Sequence, residues 1–182
     1  MKKILIFPIT ALLLAKVAVS QVYLGKTCEI SFFSDGITED IEAKNTSTKP
    51  ILNTKTDSLL FKVSIQGFVF ESKLMQEHFN ETYMESEKFP HATFRGKINQ
   101  DIVWTKDTTY KVTVTGKLNI HGVTKERTMD GTVTIKGGEI VLETKFNVAV
   151  KDHGITVPSL MTAKIAEIVE VKMKSTLTEL KK

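Results

Sequence analysis

Four histidines, His78, His91, His121 and His153, and the single cysteine Cys28 are the side chains through which this chain would do metal or nucleophilic chemistry. Zinc sites draw their ligands from short fixed spacings, often with thiolates among them. No two of these histidines stand two or four residues apart and no second thiol accompanies Cys28, so the sequence assigns no metal. Catalysis needs a reactive group held by an orienting partner, and His121 or His78 with Asp152 is the available set. There is no Gly-x-Ser-x-Gly elbow and no glycine-rich phosphate loop. No residue is therefore assigned as catalytic, and a small enzyme using His121 and Asp152 is kept as an alternative.

These side chains also have plainer uses. His121 precedes Gly122 between two strand patterns, which makes it a turn histidine whose ring ties neighbouring backbone groups, or else a grip on the polar head of a ligand. Cys28 alternates with Ile30 and Phe32 and reads as a small buried residue. Arg127 falls on the apolar face of its strand, either at a rim or as an interior charge facing an anion. Lys88-Phe89-Pro90 reads as a turn entering a strand, with Phe89 and Phe94 in the core and His91 exposed.

The elements that must position these residues are strands. Tyr110, Val112, Val114, Gly116 and Leu118 share one face while Lys111, Thr113, Thr115 and Lys117 share the other, the alternation of a half-buried strand. Arg127, Met129, Gly131, Val133 and Ile135 repeat the pattern. After the tight turn expected at Gly137-Gly138, so do Ile140, Leu142, Thr144, Phe146, Val148 and Val150. Further strands are expected over Lys26–Phe33, Asp40–Thr46, Leu59–Phe70 with a kink at Gly67, Ala92–Ile98 and Glu167–Leu180. Helical spacing is confined to Ser72–Met84 and Pro158–Ala166. Long antiparallel strands joined by tight turns form a meander, and closure into a barrel removes the unpaired edges. About eight strands leave room for one slender ligand.

Composition narrows the setting. Lys2-Lys3, an apolar run from Ile4 to Leu14 and the small residues Ala18 and Ser20 form a secretory signal peptide, with cleavage expected before Gln21. Without Lys2, Lys3 and Lys16 the 25 basic residues become 22, against 21 acidic ones. A balance this near neutral argues against a nucleic-acid or anionic-membrane partner. A lipid-modified cysteine would have to open the mature chain, and Cys28 lies too far downstream. An outer-membrane barrel shares the strand alternation, but an aromatic content of 8% provides no girdles.

Two stretches carry a resemblance. His78-Phe79-Asn80-Glu81 with Lys88-Phe89-Pro90-His91-Ala92-Thr93-Phe94, followed by Gly116-Lys117-Leu118-Asn119-Ile120-His121-Gly122-Val123-Thr124, is similar to the YceI-like family, with Phe146 and Asp152-His153-Gly154-Ile155 in the expected order. His153 stands where the family more often has an aromatic residue, and residues 21–58 lack its histidine-containing opening strand. The resemblance implies an exported lipid-binding, or polyisoprenoid-binding, protein with a lipocalin-like antiparallel barrel around an apolar cavity.

The reading is an all-β, lipocalin-like closed antiparallel barrel of about eight strands with one or two short helices, in one domain from 21 to 182. It carries a periplasmic or secreted soluble protein that sequesters a polyisoprenoid or isoprenoid quinone-like lipid. Expected lining residues are Phe61, Val63, Phe94, Val112, Val114, Met129, Val133, Leu142, Phe146, Val148, Val171 and Met173, with His121 as a candidate headgroup contact. No cofactor and no stable membrane insertion is implied, and a homodimer is left open.

Overall fold

The computed structural model describes residues 21–35, 40–157 and 166–180. The expected signal peptide and the helical segment expected over Pro158–Ala166, apart from Ala166, lie outside the described residues. The strands are β1 (Val22–Ser34), β2 (Ile41–Asn45), β3 (Ile51–Asn53), β4 (Ser58–Ser64), β5 (Val69–Phe70), β6 (His91–Ile98), β7 (Thr108–Ile120), β8 (Val123–Lys136), β9 (Glu139–Ala149) and β10 (Ile168–Glu179). Among the described residues one α-helix, α1 (Lys73–His78), continues into a wider π-type turn over Phe79–Tyr83.

Eight of these strands close an antiparallel ring in the order β10-β9-β8-β7-β6-β4-β3-β1, and β1 returns to β10. β1 serves two neighbours in succession: Val22–Leu24 pair with β3, whereas Ile30–Ser34 pair with β2, which pairs in turn with β5. The ring is therefore complete at the end where β1 begins. At the end where β1 finishes, the sheet departs into β2 and β5.

The two-residue alternation fixes which side chains face inward. Val112, Leu118, Met129, Val133, Leu142 and Val148 are buried, while Lys111, Lys117, Asp130 and Lys145 on the same strands are exposed. Cys28 joins the core at 3% exposure, and burial pushes its thiol up to about 11, against a smaller opposing pull from a hydrogen bond with Ser175.

Three expectations change. The stretch Leu59–Phe70 is not one strand: Ile65–Gly67 forms a 3₁₀ turn, after which Val69–Phe70 pairs with β2 rather than continuing along β6. A Cβ on Gly67 would lie 2.6 Å from the Asn45 amide nitrogen, so the turn seats itself on Asn45, whose amide donates to the Ser64 carbonyl at 2.9 Å. The helix is shorter than Ser72–Met84. Phe89 is half-buried against His121 rather than in the core.

Candidate functional site

The inward faces enclose a cavity of about 490 Å³. All twelve apolar residues singled out in the sequence line it, from Phe61 and Val63 on β4 round to Val171 and Met173 on β10. One end is sealed. Leu52, Ile98, Ile140 and Leu177 meet there at 0–1% exposure, and the Trp104 indole, which donates to Asp57 Oδ1 at 2.9 Å, packs against the same core.

The other end is roofed by the helical segment. Leu74, Met75, His78, Phe79, Tyr83 and Met84 all line the cavity. Together with Phe79, the rings of Phe32, Phe68 and Phe70 form an aromatic cluster, with centroids 4.9–5.8 Å apart, in tilted, edge-on and, for Phe32 with Phe79, stacked arrangements. None of the four was among the expected lining residues. Phe32 follows the period-2 pattern of β1 with Cys28 and Ile30, and that signal would have found it; Phe68 and Phe70 stand beyond the 3₁₀ turn, out of phase with Leu59, Phe61 and Val63, and Phe79 arrives through the helix.

Short polar contacts hold this roof. The Ser72 hydroxyl accepts from the Met75 amide at 3.4 Å as an N-cap. Gln76 Oε1 accepts from the Phe70 amide at 3.3 Å, tying α1 to β5. At the far side the roof meets the β7–β8 hairpin, whose two-residue turn His121-Gly122 has φ of 51° and 75°, the mirror-image turn that suits the twist of adjacent strands. His121 Nε2 lies 2.8 Å from the Glu85 carboxylate and Nδ1 3.3 Å from the His153 carbonyl. Both partners are acceptors, so either ring N–H finds one. The ring also stands edge-on to Phe89, with centroids 4.4 Å apart. His121 therefore ties three segments together and does not line the cavity.

His153 plugs a gap in the wall. β8 pairs with β9 only from Gly131 onward, while β9 beyond Thr144 pairs only with β10. The 3₁₀ turn Val150–His153 packs against β8 where the two strands part, and His153 Nδ1 donates to the Val123 carbonyl at 3.1 Å. The residue is fully buried. Desolvation holds its pKa below the ordinary 6.5 and outweighs the bond to Val123, which favours the charged form. Burial thus favours the neutral ring in this gap. Arg127 comes to this gap as well, with Nη2 3.6 Å from Asp152 Oδ2. Asp152 pairs with that guanidinium and not with His121, so the catalytic pairing considered in the sequence is not assembled. His78 stands over the cavity, and His91 is exposed at the start of β6. Among the described residues no group of three His, Cys, Asp or Glu is placed to hold a metal ion.

The closed eight-strand antiparallel barrel is matched by comparison with known proteins. A family model described as a YceI-like domain covers residues 19–177. The chain belongs to the YceI-like family. Among solved structures, a polyisoprenoid-binding domain from Saccharophagus degradans superposes with a TM-score of 0.76 at 12% identity, over 88% of this chain and 99% of that one. BcnA of Burkholderia cenocepacia gives 0.68 at 18%, over 82% and 95%. The YceI protein of Campylobacter jejuni gives 0.53 at 16%, over the full length of both chains. No curated protein matches in sequence. At these identities the solved structures establish the fold, and the YceI-like barrel is the frame in which the cavity must be understood.

Proposed function

We propose that this YceI-like protein is an exported, water-soluble carrier that sequesters a long-chain amphiphile, a polyisoprenoid or an isoprenoid quinone-like lipid, along the axis of its barrel. The observation that carries the proposal is the cavity of about 490 Å³, a volume in the range of small-molecule sites. Its wall is aliphatic and aromatic, and its far end is sealed. A prenyl chain entering it would exchange water for hydrocarbon at about 0.8 kcal/mol per methylene, so affinity would come from burial with few polar contacts. The proposed contacts are the twelve lining residues, joined at the roofed end by Phe32, Phe68, Phe70 and Phe79.

The ligand class is supported by the binding described for the Saccharophagus degradans domain. Export is supported by the basic, apolar and small-residue pattern of residues 1–20. A barrel that spans a bilayer needs an apolar outer band. Here the outer faces of β4, β6, β7, β9 and β10 carry Lys62, Arg95, Lys117, Lys145 and Lys172, all exposed, which supports a barrel surrounded by water. The test is mass spectrometry of an organic extract of the purified protein. A co-purified prenyl lipid, or saturable uptake of an added polyprenyl alcohol, is expected. A protein that takes up neither, yet turns over a screened ester or phosphoester, reverses the reading in favour of an enzyme.

A further inference from the structure

Charges on the outer wall are unevenly neutralised. On the side formed by β1, β9 and β10, lysines meet carboxylates: Lys174 with Glu143 at 2.9 Å, Lys145 and Lys172 with Glu170 at 2.6 and 3.1 Å, and Lys26 with Glu139 at 2.9 Å. On the side formed by β4, β6 and β7, Arg95, Lys97 and Lys117 are exposed, and no ion pair involves them among the described residues.

Register places these cations in contact range of one another. Ile51 stands opposite Leu60, Leu60 opposite Arg95, Arg95 opposite Lys117, and Lys117 opposite Glu126. One cross-strand row therefore runs from an apolar pair through two cations to a carboxylate. Lys97 lies two residues from Arg95 on β6 and shares its face. Like charges directly opposite on neighbouring strands destabilise a sheet. Lysines often guard free sheet edges, but β6 is paired to β4 and β7, and β7 to β6 and β8, so there is no edge here to protect. Ile51 keeps 37% of its surface exposed beside this cluster, and the whole row lines a shallow groove on the outside of the barrel, apart from the lipid cavity.

We propose that this wall docks an acidic protein segment lying across the strands, its carboxylates meeting Arg95, Lys97 and Lys117 and an aliphatic side chain resting on Ile51 and Leu60. Charge complementarity carries the assignment: a counter-charge supplied from outside would relieve the opposed Arg95 and Lys117. From Ile51 to Lys117 the row crosses three strand spacings, about 14 Å, the reach of roughly four extended residues. A membrane surface fits less well. The groove residues include no aromatic side chain of the kind that anchors at a lipid interface. The wall also faces sideways from the roofed end through which a lipid would pass.

The experiment is fluorescence anisotropy of the intact protein with a dye-labelled peptide of alternating glutamate and leucine, alongside vesicles of phosphatidylglycerol. Saturable, salt-sensitive peptide binding is expected, and the double substitution Arg95→Glu with Lys117→Glu should weaken it by about tenfold or more while the thermal melt and the lipid content stay as they were. Should the reversal impair folding, Lys117→Gln alone should still weaken peptide binding by roughly threefold. Absence of peptide binding by the parent protein overturns the proposal, as does equal binding by the substituted proteins. Tighter association with the vesicles than with the peptide overturns it too, and would make this wall a lipid-facing one.

Discussion

The His121 ring meets the Glu85 carboxylate at 2.8 Å and so fastens the tip of the β7–β8 hairpin to the end of the segment that roofs the cavity. The two residues are 36 positions apart in sequence. The same ring reaches the His153 carbonyl with its other nitrogen, which makes a turn residue the joint between the roof, the hairpin and the plug that fills the gap between β8 and β9. Both ring nitrogens thus face acceptors of the protein itself.

Replacing His121 with alanine should therefore act on stability before it acts on binding. The expected loss is about 1 to 3 kcal/mol, the cost of leaving hydrogen-bonding partners unpaired, with the low end favoured because the Glu85 side chain is 44% exposed. Uptake of a plain polyprenyl alcohol should persist in the folded fraction. An unchanged melting temperature, together with a loss confined to ligands that carry a polar head, would reverse the assignment and place His121 in the binding site.

How far the sequence disclosed this arrangement depended on the range of the interactions. Alternation along β7, β8, β9 and β10 identified the inward faces, because side-chain direction in a strand is a local property. It assigned Val114 and Lys117 to opposite sides, and in the structure Val114 lines the cavity while Lys117 is exposed on the outer wall. The Gly137-Gly138 turn was equally local. The break in Leu59–Phe70 was not, since it follows from the seat that Asn45 provides for Gly67 and from pairing of Val69–Phe70 with β2. The role of Glu85 could not be seen either: its partner is set by where the roof lands on the barrel, and nothing in the spacing of Glu85 and His121 encodes that. β3, of three residues, is too short to leave a period.

Two substitutions on β7, three residues apart, separate the inside of the barrel from the outside. Val114→Arg would place a charge within the apolar enclosure, where an unpaired ion is costly, and should abolish uptake of a polyprenyl alcohol and lower the melting temperature. Lys117→Glu lies on the solvated wall, where changes usually fall within about 0.5 kcal/mol, and should leave lipid uptake intact. Parallel loss of uptake in both variants, at equal folded fraction, would mean that the faces are wrongly assigned.

Export makes a separate expectation. If residues 1–20 are an export signal, expression in a bacterial host should yield a periplasmic or secreted species whose N-terminal sequence begins at Gln21 or close to it. Recovery of the uncleaved chain from the membrane fraction would show instead that the apolar run is retained as an anchor.

The buried plug gives a pH dependence whose sign follows from one displaced equilibrium. His153 is fully buried and desolvation lowers its pKa in the folded protein, whereas in the unfolded chain the ring titrates near its ordinary 6.5. Between those two values the unfolded state takes up a proton that the folded state does not, so stability is intact above 6.5 and declines as pH falls through it. Replacing His153 with phenylalanine leaves Arg127 and Asp152 in the sequence, keeps an aromatic ring at the position and removes the exchangeable proton. The parent protein should thus lose more melting temperature between about pH 7.5 and about pH 5.5 than the His153→Phe variant does. The comparison is made by thermal unfolding of both proteins at the two pH values. An equal drop in the two would show that protonation of His153 does not limit the fold, and that its ring is reached by water.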